Sequence, residues 1–253
     1  MTFQLLAMIV SLTNSCGSAR IDTYGALVDS YIPKDGGEVF FRQAGARATN
    51  EWYNGGVPVC WPWFDMEGEP GSGMHGFARL REWKVLECEN GVQESRAILT
   101  LEERDRFQLK YEVKLGSSLS LRLSMRNTGK TEFLVTTCLH PYFAVSNPEN
   151  VEITTPDGTI VRGQRGMDGP KSHLPGVYDV VDKAMGRRLS LEMIGNNACV
   201  VWNIGPDEIL PGLDKEDWKR YICIEPAIMP RSRGIRLLAG EERSIGMVCR
   251  LVE

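Results

Sequence analysis

Residues 117–127 read Ser-Ser-Leu-Ser-Leu-Arg-Leu-Ser-Met-Arg-Asn. Leu119, Leu121, Leu123 and Met125 alternate with serine and arginine. A period of two sends one set of side chains to a core and the other to solvent, the signature of a half-buried β-strand. Residues 96–101, 108–114 and 132–138 have the same character, and Gly116-Ser117 and Asn127-Thr128-Gly129 supply turns between them. The expectation is an antiparallel meander. Further strands are expected at 5–12, 18–29, 39–42, 83–88, 151–155, 198–202, 221–225 and 242–251, and one short helix at 212–220. Many short strands with turn signals and no dividing linker predict an all-β chain, folded over residues 1–253 as one large antiparallel sandwich or barrel.

Bulk properties narrow the function classes. The 253 residues are 42% hydrophobic and 25% charged, an ordinary globular mixture. Net charge is -4, from 29 basic and 33 acidic residues, and no basic stripe favours a nucleic-acid partner. Seven scattered cysteines form no CxxC pair, which fits reduced thiols and a cytoplasmic setting. Residues 1–10 are apolar but lack the basic start and small-residue cleavage site of a secretory leader, and are read as an opening strand. No window reaches the ~20 apolar residues of a membrane-spanning helix.

There are three histidines. His75 opens His75-Gly76-Phe77-Ala78-Arg79, after a loop at 67–73 with three glycines and a proline. His140 lies in Leu139-His140-Pro141-Tyr142-Phe143, where Pro141 imposes extended geometry and ends the strand. His173 sits in a polar stretch and reads as loop. Metal ligation finds no HxH or HExxH spacing and no nearby cysteine pair. Acid–base work by His75 and His140 and a structural, hydrogen-bonded role both remain open. Glu225 ends the apolar run Tyr221-Ile222-Cys223-Ile224-Glu225. A carboxylate there is paired, exposed or functional, and partial burial would raise its pKa toward that of a useful base. Trp61 and Trp63, after Gly55-Gly56-Val57-Pro58-Val59-Cys60, offer flat walls for a sugar's C–H face or fill a core turn.

In chain order, Tyr24-Gly25-Ala26, Gly55 to Pro62, His75 to Arg79 with Trp83, Leu139 to Phe143, Val201-Trp202-Asn203 and Cys223 to Ala227 resemble the glucose-6-phosphate 1-epimerase family, within the aldose-1-epimerase-like superfamily. The resemblance implies a β-supersandwich and an isomerase that exchanges the α and β anomers of a hexose or hexose 6-phosphate, with no metal or organic cofactor. It implies His140 as general acid, Glu225 as general base, and His75 and Arg79 as sugar-binding groups. Asp179 is the best match to a family aspartate. Asn54 stands where the family carries an arginine that recognises phosphate, and asparagine offers neither its charge nor its fork. Arg42, Arg47 and Arg81 are candidate replacements. Trp61 joins the expected sugar wall. The implied partner is a small sugar or sugar phosphate bound by a monomer, with no nucleic acid and no membrane. Two other classes compete: a non-catalytic carbohydrate-binding or sensing protein on the same fold, and a glycoside hydrolase or lyase. Hydrolysis requires a second catalytic carboxylate, and no motif pairs Asp179, Asp207 or Asp214 with Glu225.

Overall fold

The computed structural model describes residues 8–44, 53–68, 71–172 and 175–252. Its largest sheet has nine antiparallel strands, and the alternating stretch lies within it. Strands Ser95–Glu103, Phe107–Leu115 and Leu119–Asn127 are three strands of the expected meander, flanked by Lys84–Asn90 on one side, but the stretch at 132–138 leaves it: Phe133–Val135 pairs with Ile235–Leu237 in a separate two-stranded sheet, and Thr137–Leu139 joins a second large sheet. On the other side Glu242–Val252 pairs with Leu119–Asn127, and Arg187–Ile194, Gly176–Asp182, Val151–Thr154 and Ile160–Arg162 complete the sheet. The period-two reading is realised residue by residue: Leu119, Leu121, Leu123 and Met125 are buried and face Cys249, Met247, Ile245 and Arg243.

A second sheet holds strands Asp168–Ser172, Ala198–Trp202, Tyr221–Ile228, Thr137–Leu139 and Val59–Cys60, with Tyr142–Ala144 also paired to Tyr221–Ile228. Ile222, Ile224 and Ile228 share one buried cluster with Leu121, Leu123, Leu191 and Met247 of the large sheet. The main core therefore lies between the two sheets. A three-stranded sheet, Ile9–Asn14, Gly17–Asp22 and Leu27–Pro33, adds Leu12, Ile21 and Val28 to it. Every residue of Tyr221–Ile228 is buried. By strand alternation its odd-numbered residues, Cys223 and Glu225 among them, point away from that core. Of these, Glu225 lines the functional cavity, while Cys223 packs beside it among Phe41, Tyr142 and Tyr221.

Three further expectations change. The stretch at 18–29 is two strands, because Tyr24 turns back on the Asp22 side chain (N–H to Oδ1, 2.9 Å) and Gly25 and Ala26 have positive φ. The expected strand at 39–42 makes only isolated bridges, Phe40 to Phe143 and Arg42 to Gly55. The helix expected at 212–220 is a single 3-10 turn, Asp217–Arg220. There the Asp217 carboxylate accepts the Asp214 N–H at 2.9 Å, a contact of the kind that caps a helix start, but the turn runs directly into the strand Tyr221–Ile228. No helix among the described residues is long and apolar enough to cross a membrane. His173, Arg47 and the start of the strand expected at 5–12 lie outside the described residues.

Candidate active site

Two strand ends build the centre. Thr137–Leu139 and Tyr142–Ala144 both pair with Tyr221–Ile228, and His140-Pro141 interrupts them. Pro141 has no N–H for a ladder, so the chain breaks there, while the His140 N–H donates to the Pro58 carbonyl at 3.0 Å. The break keeps His140 on the face of the sheet that carries Glu225. His140 Nε2 stands 3.5 Å from Glu225 Oε1. Glu225 is 1% exposed and His140 5%. The other carboxylate oxygen, Oε2, accepts the Cys138 thiol at 3.3 Å. The His140 ring stacks on Tyr142, with centroids 5.0 Å apart, and meets Trp202 edge-on at 6.0 Å.

His75 enters from the other side of the same cavity, on a loop held by close backbone approach. Gly76 bridges Trp61, and a Cβ there would sit 2.1 Å from the Trp61 carbonyl oxygen at a φ of +67°. His75 itself has φ +64°, and its Nδ1 accepts the Asp65 N–H at 3.0 Å. In a neutral imidazole this leaves the proton on Nε2. Its ring stacks on Phe64 and lies edge-on to His140 at 5.5 Å. Burial pushes His75 down to about 2, helped by neighbouring His140 and Arg79, and burial likewise pushes His140 down to about 3, helped by Arg79. Both rings are therefore neutral at pH 7 in the free protein. Gly76→Ala is expected to cost about 2 kcal/mol or more, a drop of about 4–8 °C in Tm, and to weaken sugar binding by displacing His75. Thermal unfolding and sugar titration check this. An unchanged Tm would show that the loop adapts.

The cavity between these groups has a volume of about 460 Å³, within the ~300–1,000 Å³ of small-molecule sites. Asn54, His75, Arg79, His140 and Glu225 of the expected set line it. Asn54 is fully buried, and its amide ties two walls together: Nδ2 donates to the Pro211 carbonyl at 2.8 Å, and Oδ1 accepts the Tyr142 hydroxyl at 3.2 Å. Arg79 donates through Nη2 to the Met74 carbonyl at 2.8 Å.

Two expected residues lie elsewhere. Asp179 sits in the large sheet, opposite Thr154 and Ser190, and accepts Arg188 Nε at 2.7 Å. The cavity is lined instead by Asp168, at the start of the strand beside Ala198–Trp202. Trp61 is 1% exposed and packs against Phe77, Phe107 and Phe133 on the core side of its loop. The aromatic walls are Trp202, Tyr142 and Phe64. Of these, Trp202 is placed by long-range strand register, which sets it opposite Cys223 on the neighbouring strand, and no local sequence signal gives that register. Asp65 and Glu208 complete the acidic lining. Arg42 and Arg81 do not line the cavity; Arg42 lies 3.9 Å from Asp29, and Arg81 lies over the Phe77 ring.

The sequence profile described as "Aldose 1-epimerase" matches residues 8–165, more than half of the chain. The chain belongs to the aldose 1-epimerase family. Among curated relatives of this aldose 1-epimerase family member, a Salmonella typhimurium protein named "Putative glucose-6-phosphate 1-epimerase" is 28% identical over 198 residues, 68% of this chain and 66% of its own length. The chain thus spans just under two thirds of that relative. A Cenchrus ciliaris protein of the same name is 27% identical over 90% of this chain and 79% of its own length. Among solved structures, the "putative mutarotase (YeaD)" of Salmonella typhimurium superposes with a TM-score of 0.84 at 20% identity, covering 98% of this chain and 91% of that one. The Slr1438 protein of Synechocystis follows with a TM-score of 0.72 at 18% identity, over 99% and 98% of the two chains. These likenesses show a shared mutarotase-like fold.

Proposed function

We propose that the chain is an aldose mutarotase, interconverting the α and β anomers of a hexose by acid–base ring opening. The observation that carries this reading is the buried pair His140 Nε2 and Glu225 Oε1, 3.5 Å apart in a cavity of hexose scale. Ring opening needs one proton removed from the anomeric hydroxyl and one delivered to the ring oxygen, two atoms on the same carbon. Glu225 takes the first. His140, neutral in the free protein, first takes up a proton from solvent, and as imidazolium it delivers that proton to the ring oxygen as the C1–O5 bond breaks and C1 becomes an aldehyde. Burial makes that imidazolium a strong acid, so the proton leaves it readily. Rotation about C1–C2 presents the other carbonyl face, and reversing both transfers closes the other anomer. The reaction is neutral in protons and electrons. His75 and Arg79 orient the sugar, Asp168 accepts its hydroxyls, and Trp202 and Tyr142 cover its C–H faces.

The lining also bears on phosphate. Arg79 is the only cation among the described lining residues, and Asp65, Asp168 and Glu208 join Glu225 as acids. A dianionic phosphate would meet a predominantly negative wall, so the reading is an unphosphorylated hexose in preference to its 6-phosphate. Two-dimensional exchange NMR on glucose, galactose and glucose 6-phosphate tests both levels. Enhanced exchange of a neutral hexose is the expected result. Enhanced exchange of glucose 6-phosphate alone would keep the chemistry and overturn the substrate. Sugar binding without enhanced exchange would make the chain a binding protein on this fold.

A further inference from the structure

The face of the sheet that carries the proton-transfer pair also carries thiols. Cys223 lies two residues before Glu225 on Tyr221–Ile228, and alternation puts both on the same face of the strand, Cys223 packed against Phe41, Tyr142 and Tyr221 at the edge of the cavity that Glu225 lines. His140 Nε2 or Nδ1, Cys223 Sγ and a Glu225 carboxylate oxygen lie within 4.8 Å of one another, and all three residues are buried. His140 comes from a stretch of chain far from Cys223 and Glu225, so no HxxH or CxxC spacing announces the set.

We propose that His140, Cys223 and Glu225 form an inhibitory site for a borderline-soft divalent ion, zinc(II) foremost, whose binding occupies the proton-transfer pair. One imidazole nitrogen, one sulfur and one carboxylate oxygen are a zinc donor set, whereas calcium and magnesium take oxygen. Zinc–ligand bonds of about 2.0–2.3 Å set tetrahedral edges of roughly 3.4–3.7 Å. The His140–Glu225 edge, at 3.5 Å, already has that length. The Cys138 thiol on Glu225 Oε2 holds the carboxylate from behind, as outer-shell partners orient metal ligands. The fourth position opens on the cavity, for water or a sugar hydroxyl. Binding releases one proton, from Cys223, and transfers no electrons. Two anionic ligands balance the dication, so the buried site becomes neutral.

Only the inhibitory clause rests on the mutarotase reading, and the test separates the two. Metal-free protein is titrated with cobalt(II), whose thiolate charge-transfer absorption reports sulfur ligation, and zinc is then added to displace it. One ion per chain and a charge-transfer band are expected. Cys223→Ser and Cys223→Ala should lose the band and bind at least about tenfold more weakly, with circular dichroism confirming their fold. Cys88→Ser, at an exposed thiol, should keep both. Absence of the band, or its survival in both Cys223 variants, would overturn the site. Zinc should slow anomer exchange with the midpoint seen in binding, and full exchange at saturating zinc would overturn the inhibition. A band in protein whose metal-free form exchanges no sugar would uphold the site and refute the mutarotase.

Discussion

Glu225→Gln is expected to lower anomer exchange by about 10²–10⁴-fold, the usual worth of a positioned proton-transfer group, while the protein stays folded. The amide matches the carboxylate in shape and keeps an oxygen toward the Cys138 thiol, which now stands 3.3 Å from Oε2. What it loses is the capacity to take the anomeric proton. Because Glu225 is 1% exposed, water cannot easily serve in its place. The surrounding packing has little reason to change, so KM for the sugar should move far less than kcat. The measurement is exchange NMR over a range of sugar concentrations, with circular dichroism as the folding control. A variant that keeps more than about a tenth of the wild-type rate would remove Glu225 from the proton path, and with it the mechanism proposed for the pair.

The same strand shows what was legible in the sequence. Tyr221–Ile228 announces itself as an apolar run with one carboxylate, and alternation alone predicts that Cys223 and Glu225 share a face. His140 was legible because Pro141 marks a strand end. Lateral neighbours were not legible. Trp202 reaches the cavity because Ala198–Trp202 pairs with Tyr221–Ile228 in the register that sets Trp202 opposite Cys223. Asp168 reaches it because its strand joins the far side of Ala198–Trp202. Neither register follows from local pattern. Asp179 and Asp168 differ mainly in which sheet they join, and only long-range pairing decides that. Trp61 illustrates a second limit. Its motif specifies a tight turn, but Gly76 and Phe77 turn the indole toward the core, and those contacts come from a loop partner some fifteen residues away. At 212–220 the charged spacing suited a helix, yet the chain from Tyr221 onward is committed to the strand that pairs with Ala198–Trp202, and only one turn remains before it. In each case local chemistry was read correctly and tertiary pairing chose among its outcomes.

Acid should unfold this protein early, and the two cavity histidines should account for a large part of the effect. In the unfolded chain a histidine titrates near 6.5, whereas in the fold burial holds His140 down to about 3 and His75 to about 2. Between those values the unfolded chain binds more protons than the folded one, so stability falls as pH falls. The loss begins near pH 6.5 and continues toward pH 3. While both groups differ between states, its slope approaches about 2.7 kcal/mol per pH unit, two protons' worth. Since domains are stable by only about 5–15 kcal/mol, the fold should give way before His140 can titrate in place. Urea unfolding at pH 7.0, 5.5 and 4.5 gives the slope. His75→Asn isolates one contribution: asparagine tolerates the positive φ at this position, and its side-chain oxygen can accept the Asp65 N–H that His75 Nδ1 accepts now. That variant should show a slope lower by about 1.4 kcal/mol per pH unit, even if its stability at pH 7 changes. Stability that stays flat from pH 6.5 to 4.5 would mean that the histidines protonate within the fold, with water or a carboxylate reaching them. The free protein would then hold a ready imidazolium at His140, and the proton for ring opening would be present before the sugar arrives.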